Sequence, residues 1–284
     1  MKQTNYLQNR IAAGIVTFNP DIIRLQENID AVSSQVEKIF IFDNGSSNFS
    51  AINTLCGRYG HITLICSSTN QGIAYALNRL FENAQAEKFD WLLTLDQDSV
   101  CFPDLVNQYR RHLDDAESLC CFFRDESIQS EFVEYCITSG NLVKIKSWET
   151  IHGFNENLFI DMVDVDFCYR LIRNHFNILR IPYCGFQHQM GDGTYWNFLG
   201  HKIFVGNYSP FRKYYIFRNM IYVMRKYHLN LFHHFSYKRL CALFLHTILY
   251  ETEKRKKVNS MMKGFLDGFR KYEWIDSYWD QNQP

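Results

Sequence analysis

Over the first third of the chain, short continuous apolar runs alternate with segments whose apolar residues recur at helical spacing. Ile11 to Phe18, closed by Asn19-Pro20, reads as a strand buried on both faces. Asp21 to Ser34 places Ile22, Leu25, Ile29 and Val32 on one helical face, and Val36 to Phe42 is strand-like again before Asp43-Asn44-Gly45-Ser46-Ser47. A helix from Phe49 to Tyr59, a strand from Ile62 to Cys66, and a helix opened by Asn70-Gln71-Gly72 with Ile73, Ala76, Leu77 and Leu80 on one face follow. Trp91 to Leu95 is the fourth strand. Parallel neighbours need crossovers of this length, so the pattern predicts a doubly wound, mostly parallel α/β sheet flanked by helices.

The second half is less regular. Glu131 to Thr138 and Leu142 to Ile145 read as strands around Ser139-Gly140-Asn141, and Trp148 to His152 as a short helix. A helix is expected from near Asp164 to about His175, with Phe167, Leu171 and Ile172 as its apolar positions, and a strand from Ile178 to Ile181 before Pro182. Tyr208 to Tyr227 reads as a helix rich in aromatics and arginine. Leu240 to Tyr250 is an apolar run of about half the length needed to cross a bilayer, so it either packs on the body or lies in a membrane interface.

Chemistry-bearing residues gather where the strands end. In an open α/β sheet the carboxyl edge of the strands is where ligands bind. That edge carries Asn19, Asp43 with Asn44, Asn70, and Asp96 with Asp98. If the backbone stays extended past Leu95, Asp96 and Asp98 project to one side and can share a cation; hard carboxylate oxygens suit Mg²⁺ or Mn²⁺ shared with substrate phosphates. The bland alternative is that both acids only begin a turn before Pro103. No G-x-G-x-x-G and no G-x-x-x-x-G-K-[ST] follows these strands, which disfavours dinucleotide oxidoreductases and P-loop enzymes. Three acids, Asp161, Asp164 and Asp166, crowd an otherwise apolar stretch, more than a helix cap requires. His188, ahead of a glycine-rich loop, is a candidate third metal ligand whose imidazole suits Mn²⁺ better than Mg²⁺.

Composition adds three points. The 284 residues, 46% hydrophobic and 21% charged, suffice for a large core with an appendage. Nine cysteines are scattered with no C-x-x-C pair, which favours buried thiols in a reducing compartment over a disulfide framework or a zinc site. No signal-peptide core or membrane span is read from the sequence. Zero net charge hides a division: residues 1–210 hold 16 Lys+Arg against 24 Asp+Glu, a balance of −8, and residues 211–284 hold 14 against 6, a balance of +8. An anionic partner is expected at the carboxyl end, a membrane surface or a phosphate.

Several pieces in order resemble family 2 glycosyltransferases of the GT-A fold, most closely the bacterial rhamnosyltransferase-like branch. They are Val16-Thr17-Phe18-Asn19-Pro20, Asp43-Asn44-Gly45-Ser46, Asn70-Gln71-Gly72-Ile73-Ala74 with Asn78, and Thr94-Leu95-Asp96-Gln97-Asp98-Ser99. Phe159-Ile160-Asp161, Asp164-Val165-Asp166, His188 with Gly191, and Arg212 through Asn219 continue the match to about residue 225. The resemblance implies a nucleotide-sugar site of Thr17, Asn19, Asp43, Asn70, Gly72, Asp96, Gln97 and Arg218, and a Mg²⁺ or Mn²⁺ site of Asp98, Asp96 and His188. It also implies Asp164 as catalytic base, with Asp161 and Asp166 as secondary candidates. The first acid of the family's pair is replaced by Val163, which leaves open whether Asp161 takes that role.

The implied organisation is a catalytic domain over 1–207 and a helical basic region over 208–284. The implied activity is inverting transfer of a sugar, L-rhamnose from dTDP-rhamnose, to a hydroxyl of a polyprenyl-diphosphate-linked saccharide at the cytoplasmic membrane face, in surface polysaccharide synthesis. Galactofuranose or glucose transfer, a nucleotidyltransferase, and a non-catalytic sugar-nucleotide-binding protein are the alternatives. No nucleic-acid partner is expected, and oligomeric state is not legible.

Overall fold

The computed structural model describes residues 9–122, 129–186, 194–198, 201–229 and 234–281. They form two compact units, Met1–Glu156 with Asp164–His188, and Asn157–Val163 with Gln189–Pro284. The packing therefore divides the chain near residue 188, ahead of the expected 207/208 boundary, and assigns the short segment 157–163 to the second unit.

In the first unit, β1 (Ile11–Thr17), α1 (Ile22–Ser33), β2 (Lys38–Asp43), α2 (Phe49–Cys56), β3 (Ile62–Cys66), α3 (Ile73–Ala86) and β4 (Trp91–Asp96) follow the alternation seen in the sequence. After them come α4 (Leu105–Arg110), β5 (Ser118–Phe122), β6 (Glu131–Phe132), β7 (Asn141–Lys144), α5 (Ile145–Thr150), α6 (Val163–Arg173) and β8 (Ile178–Cys184). The strands make one eight-stranded sheet in the order β3-β2-β1-β4-β7-β5-β8-β6. The first four are parallel; β7 runs antiparallel between β4 and β5, and β6 antiparallel to β8. This is the expected α/β class, with a mixed second half.

All seven residues of β1 are buried, as a central strand covered on both faces requires. On one face Ile11, Ala13 and Ile15 join Leu25, Ile29 and Val32 of α1, with Ile52 and Leu55 of α2. On the other, Gly14 lets α3 approach: a Cβ there would lie 3.1 Å from a methyl of Leu80. The start of α1 is set by Asp21, whose carboxylate accepts from the Arg24 amide at 2.8 Å.

Three expectations shift. The strand expected over Glu131 to Thr138 is confined to Glu131–Phe132, because the chain then leaves the sheet; Thr94 Oγ1 and the Thr94 carbonyl hold Thr138 and Gly140 at 2.6 and 2.7 Å. The helix expected from Trp148 begins instead at Ile145, directly after β7. The strand after Asn177 continues through Pro182 to Cys184. Its pairing with β5 is irregular between Cys120 and Phe122, and β6 pairs only with Leu179 and Arg180, so no ladder bond is asked of the proline.

The second unit holds the hairpin β9 (Thr194–Phe198) and β10 (His201–Val205), then α7 (Pro210–Tyr227), α8 (Tyr237–Tyr250), α9 (Lys254–Arg270) and α10 (Tyr272–Gln281). Ser209 caps α7, with Pro210 in its first turn, and His228 closes it in the left-handed conformation. Gly264 and Gly268 let α9 lie on α7 backbone to backbone; a Cβ at Gly268 would stand 2.7 Å from the Arg218 carbonyl oxygen. Glu251, at the end of α8, accepts from Lys213 at 2.6 Å and from Lys257 at 3.0 Å, and all three side chains are buried. The basic run Lys254-Arg255-Lys256-Lys257 is thus not one exposed patch, since Lys257 is interior and Lys256 pairs with Glu253.

Burial alone would raise the Glu251 carboxyl, but hydrogen bonds from Lys213 and Lys257 prevail and hold it below the usual carboxylate range. A carboxylate with a depressed folded pKa contributes stability above its unfolded value, about 4.3, and that contribution is lost as pH falls through the folded value. Glu251→Ala strands two buried ammonium groups and should destabilise the protein by about 3–5 kcal/mol at neutral pH. Urea unfolding of both proteins across an acid series checks this, and the difference should shrink below about pH 4. A loss under about 1 kcal/mol at neutral pH would contradict the buried triad.

Candidate functional site

Four parallel strands end on one edge of the first unit, and their loops are tied together by side chains. Thr17 of β1 and Asp43 of β2 stand in register, and Thr17 Oγ1 donates to Asp43 Oδ1 at 3.1 Å. Asp43 Oδ2 accepts from the Ser46 amide at 3.0 Å, closing the turn after β2. Gly45 sits at φ 81° against the Thr69 backbone, where a Cβ would lie within 2.7 Å of the carbonyl carbon; only glycine fits there. Asn19, itself left-handed at φ 48°, accepts from Ser47 N and Oγ through its side chain, and its amide donates to Ser46 Oγ.

Asn44 carries the connection to the loop after β3. It is buried, donates to the Gly72 carbonyl at 3.1 Å and accepts from the Gln71 amide at 2.8 Å. Asn70 forms an Asx turn onto the Gly72 amide, and Gly72 stands at φ 90° immediately before α3. Gln97 Oε1 accepts from the Phe18 amide at 2.8 Å and so joins the β4 loop to the β1 loop. Thr17, Asn19, Asp43, Asn70, Gly72, Asp96 and Gln97 therefore share this edge. The sequence reading missed the structural part played by Asn44, although the Asp-Asn-Gly turn signal marked the place.

The geometry at Asp96 and Asp98 differs from the extended backbone considered above. β4 ends at Asp96, and residues 97 and 98 form a turn closed by the Ser99 amide on the Asp96 carbonyl at 3.1 Å. Strand alternation therefore does not set the direction of Asp98. Both acids are exposed, and their backbone is fixed from three sides. Asn28 Nδ2 donates to the Asp96 carbonyl at 2.7 Å, the Asp96 amide donates to Ser139 Oγ at 3.0 Å, and Arg24 Nε donates to the Asp98 carbonyl at 3.0 Å. Among the described residues no group of three or more His, Cys, Asp or Glu side chains is arranged to hold a metal, and His188 lies outside them. Exposed carboxylate oxygens on a fixed turn are hard donors of the kind that Mg²⁺ or Mn²⁺ takes beside phosphate and water.

The acid-rich stretch resolves into three different environments. Asp164, in the first turn of α6, is half-buried, and its Oδ1 accepts from the Val165 amide at 2.9 Å. Asp166 is fully buried and accepts from Arg170 Nε at 2.8 Å, while the same guanidinium donates to the Ile151 carbonyl. A carboxylate so enclosed cannot meet a substrate hydroxyl, so Asp166 is withdrawn from the catalytic candidates and joins the core of the first unit. Asn78 is also structural: its side chain donates to the Phe154 carbonyl and Glu156, and accepts from the Phe154 amide and Trp148 Nε1.

Asp161 belongs to the second unit, on a strained loop. Phe159, Asp161 and Met162 have φ of 65°, 63° and 64°, a conformation that costs side-chain-bearing residues on the order of 1 kcal/mol or more each. The strain is held by α7. Asn219 Nδ2 donates to the carbonyls of Leu158, Ile160 and Asp161 at 2.7–2.9 Å, and Arg218 donates to those of Asn157 and Leu158. Arg218 is buried, packed on Tyr214 and Tyr215, so the expected nucleotide contact gives way to a role in fixing the loop. Asp161 meets Arg212 with both oxygens, at 3.1 and 3.2 Å; burial nonetheless keeps its carboxyl above the usual range, with the Arg212 charge opposing.

The family model for Glycosyl transferase family 2 matches residues 13–174. The dTDP-rhamnosyl transferase RfbF of Shigella flexneri is 26% identical over 93% of this chain and 97% of its own length. The hyaluronan synthase of Streptococcus pyogenes is 29% identical over 37% of this chain and 27% of its own. Among solved structures, S. aureus TarS 1-349 in complex with UDP-GlcNAc superposes with a TM-score of 0.59 at 12% identity, covering 96% of this chain and 92% of that one. GalNAc-T7 with UDP, GalNAc and Mn²⁺ gives 0.57 at 11% identity, covering 95% and 58%. These two likenesses establish the fold, that of the GT-A glycosyltransferases.

The environment of Asp166 makes a test. Asp166→Ala leaves the Arg170 guanidinium buried without its carboxylate and should cost about 3–5 kcal/mol in denaturant unfolding. A cost below about 1 kcal/mol would return Asp166 to the candidates for chemistry.

Proposed function

The chain belongs to glycosyl transferase family 2, and from that we propose an inverting, metal-assisted transferase moving L-rhamnose from dTDP-rhamnose to a hydroxyl of a polyprenyl-diphosphate-linked saccharide. The observation that carries the mechanism is one rigid edge bearing both the buried Thr17–Asp43–Asn44 network and the exposed Asp96–Asp98 turn. The choice of donor rests on the likeness to RfbF along almost the whole of both chains. A lipid-linked acceptor assigns the enzyme to the cytoplasmic membrane face.

In this reading the pyrimidine and ribose lie against the loops of Thr17, Asp43 and Asn70. Asp43 is itself buried, with Oδ1 accepting from Thr17 and Oδ2 from the Ser46 amide, so it would serve the nucleotide by fixing the loops that face it. Asp98, with Asp96 and His188, would hold the divalent ion, which when bound neutralises charge developing on the departing diphosphate. Asp164 takes the acceptor proton as the new bond forms. A carboxylate is a weak base, so Asp164 acts through position at the start of α6 and through the rising acidity of the attacking hydroxyl. Asp161, already engaged by Arg212, serves to hold the strained loop.

Calorimetry with dTDP-rhamnose and Mn²⁺, beside a turnover assay, separates these roles. Asp98→Ala should remove metal-dependent donor binding, while Asp164→Asn should bind donor within a few-fold of wild type and lose about 10²–10⁴ in turnover. Equal loss of donor affinity in both variants would overturn the assignment, and release of a different nucleoside diphosphate from other donors would replace the sugar.

His188 has its own signature. A ligand imidazole must be neutral, so Mn²⁺ affinity should fall as pH drops through about 6.5, and His188→Ala should flatten that dependence. An unchanged pH profile in the variant would remove His188 from the metal site.

A further inference from the structure

The helix α8 is apolar in the wrong direction for a core element. Of its fourteen residues only Leu240 and Thr247 are buried, while Leu245 and Leu249 are 57% and 61% exposed and Ile248 also faces outward. Met262, Leu266 and Phe269 of α9 are exposed as well. Between the two helices runs an open groove of about 450 Å³, lined by Phe217, Leu240, Phe244, Leu245, Met262 and Phe265. No helix among the described residues is long and apolar enough to cross a membrane, so this surface is not part of a span.

Charge indicates what covers it. From Tyr237 to Arg270 the exposed cations are Lys238, Arg239, Lys254, Arg255, Lys256, Lys263 and Arg270, whereas the only exposed acid is Glu253, already paired with Lys256. Glu251 and Asp267, the other acids of the stretch, are buried against lysines or a tyrosine. A second copy of the same chain would bring like charges together around the apolar face. An anionic lipid surface satisfies both features at once, taking the leucines into its hydrocarbon boundary and the cations at its headgroups.

We propose that the α8–α9 face is a monotopic docking surface for anionic membrane, inserted through Leu245, Ile248 and Leu249 and held electrostatically by Lys238, Arg239, Lys254 and Arg255. Lys257 takes no part, because it is spent on Glu251 inside the unit. The proposal deepens the reading of a lipid-linked acceptor, to which it gives a specific surface on this chain.

Co-sedimentation of the full chain with phosphatidylglycerol-containing vesicles and with pure phosphatidylcholine vesicles, over a salt series, tests it. The wild type should bind the anionic vesicles and release them as salt rises. Lys254→Gln with Arg255→Gln should weaken binding about fivefold for each cation removed. Leu245→Ser with Leu249→Ser, both at exposed positions, should weaken it at least tenfold at every salt concentration. Thermal unfolding of each variant should stay near that of the wild type. Wild type that ignores anionic vesicles at low salt, or a leucine variant that binds as well as wild type, would overturn the proposal. So would a concentration-dependent dimer in sedimentation velocity that the leucine changes abolish, which would assign the face to self-association. Hydrolysis of dTDP-rhamnose is measured on the same preparations: its absence with vesicle binding intact defeats the choice of donor alone, and its persistence without vesicle binding defeats only the docking surface.

Discussion

Parallel pairing of β1 with β2 and β4 is the constraint on which the site depends. It fixes register, so Thr17 stands beside Asp43 and Val16 beside Asp96, and it forces the strands to end on one edge. Four loops with polar side chains then have to satisfy one another's backbone groups. Asn44, Asn19 and Gln97 do so across loops, and Asn28 of α1 holds the β4 loop, which converts separate turns into one preorganised surface. Much of the polar equipment of this edge supports the site, and Asp96 and Asp98 are exposed on it.

The acids near residue 160 illustrate how similar sequence signals part company once packed. Asp161, Asp164 and Asp166 lie within six residues, yet one is paired to Arg212 on a strained loop, one opens a helix half-buried, and one is sealed against Arg170. The strain at Phe159, Asp161 and Met162 persists because α7 supplies hydrogen bonds to successive carbonyls of that loop. Arg218 and Asn219 thereby act on the loop's shape.

In the second unit, charge and apolar surface are sorted by depth. Lys213, Lys257 and Glu251 join α7, α8 and α9 inside, while the remaining cations of α8 and α9 stay in water beside exposed leucines. The +8 balance of residues 211–284 read from the sequence is therefore partly structural. Gly264 and Gly268 permit close packing of α9 on α7 and leave α8 with its apolar side outward.

Local pattern determined a great deal by itself. The continuous apolar runs of β1 to β4, the helical spacing between them and the turn residues at their ends were enough to place Thr17, Asp43, Asn70 and Asp96 on one edge, because parallel strands with helical crossovers allow no other arrangement of those ends. The helix opening near Asp164 was legible for the same reason, from apolar spacing and acids in its first turn. What only tertiary structure decided were partners distant in sequence. Asp166 reads like Asp164 until Arg170 and the Ile151 carbonyl enclose it, and Arg218, placed by resemblance in the nucleotide-sugar site, has its donors taken by the carbonyls of Asn157 and Leu158. Asp98 reads as the second member of a strand-edge pair until the backbone turns one residue earlier. Sequence spacing fixes periodicity, which is local; burial and hydrogen-bond partners depend on which segments the fold brings together, and that separates a carboxylate available for chemistry from one consumed by packing.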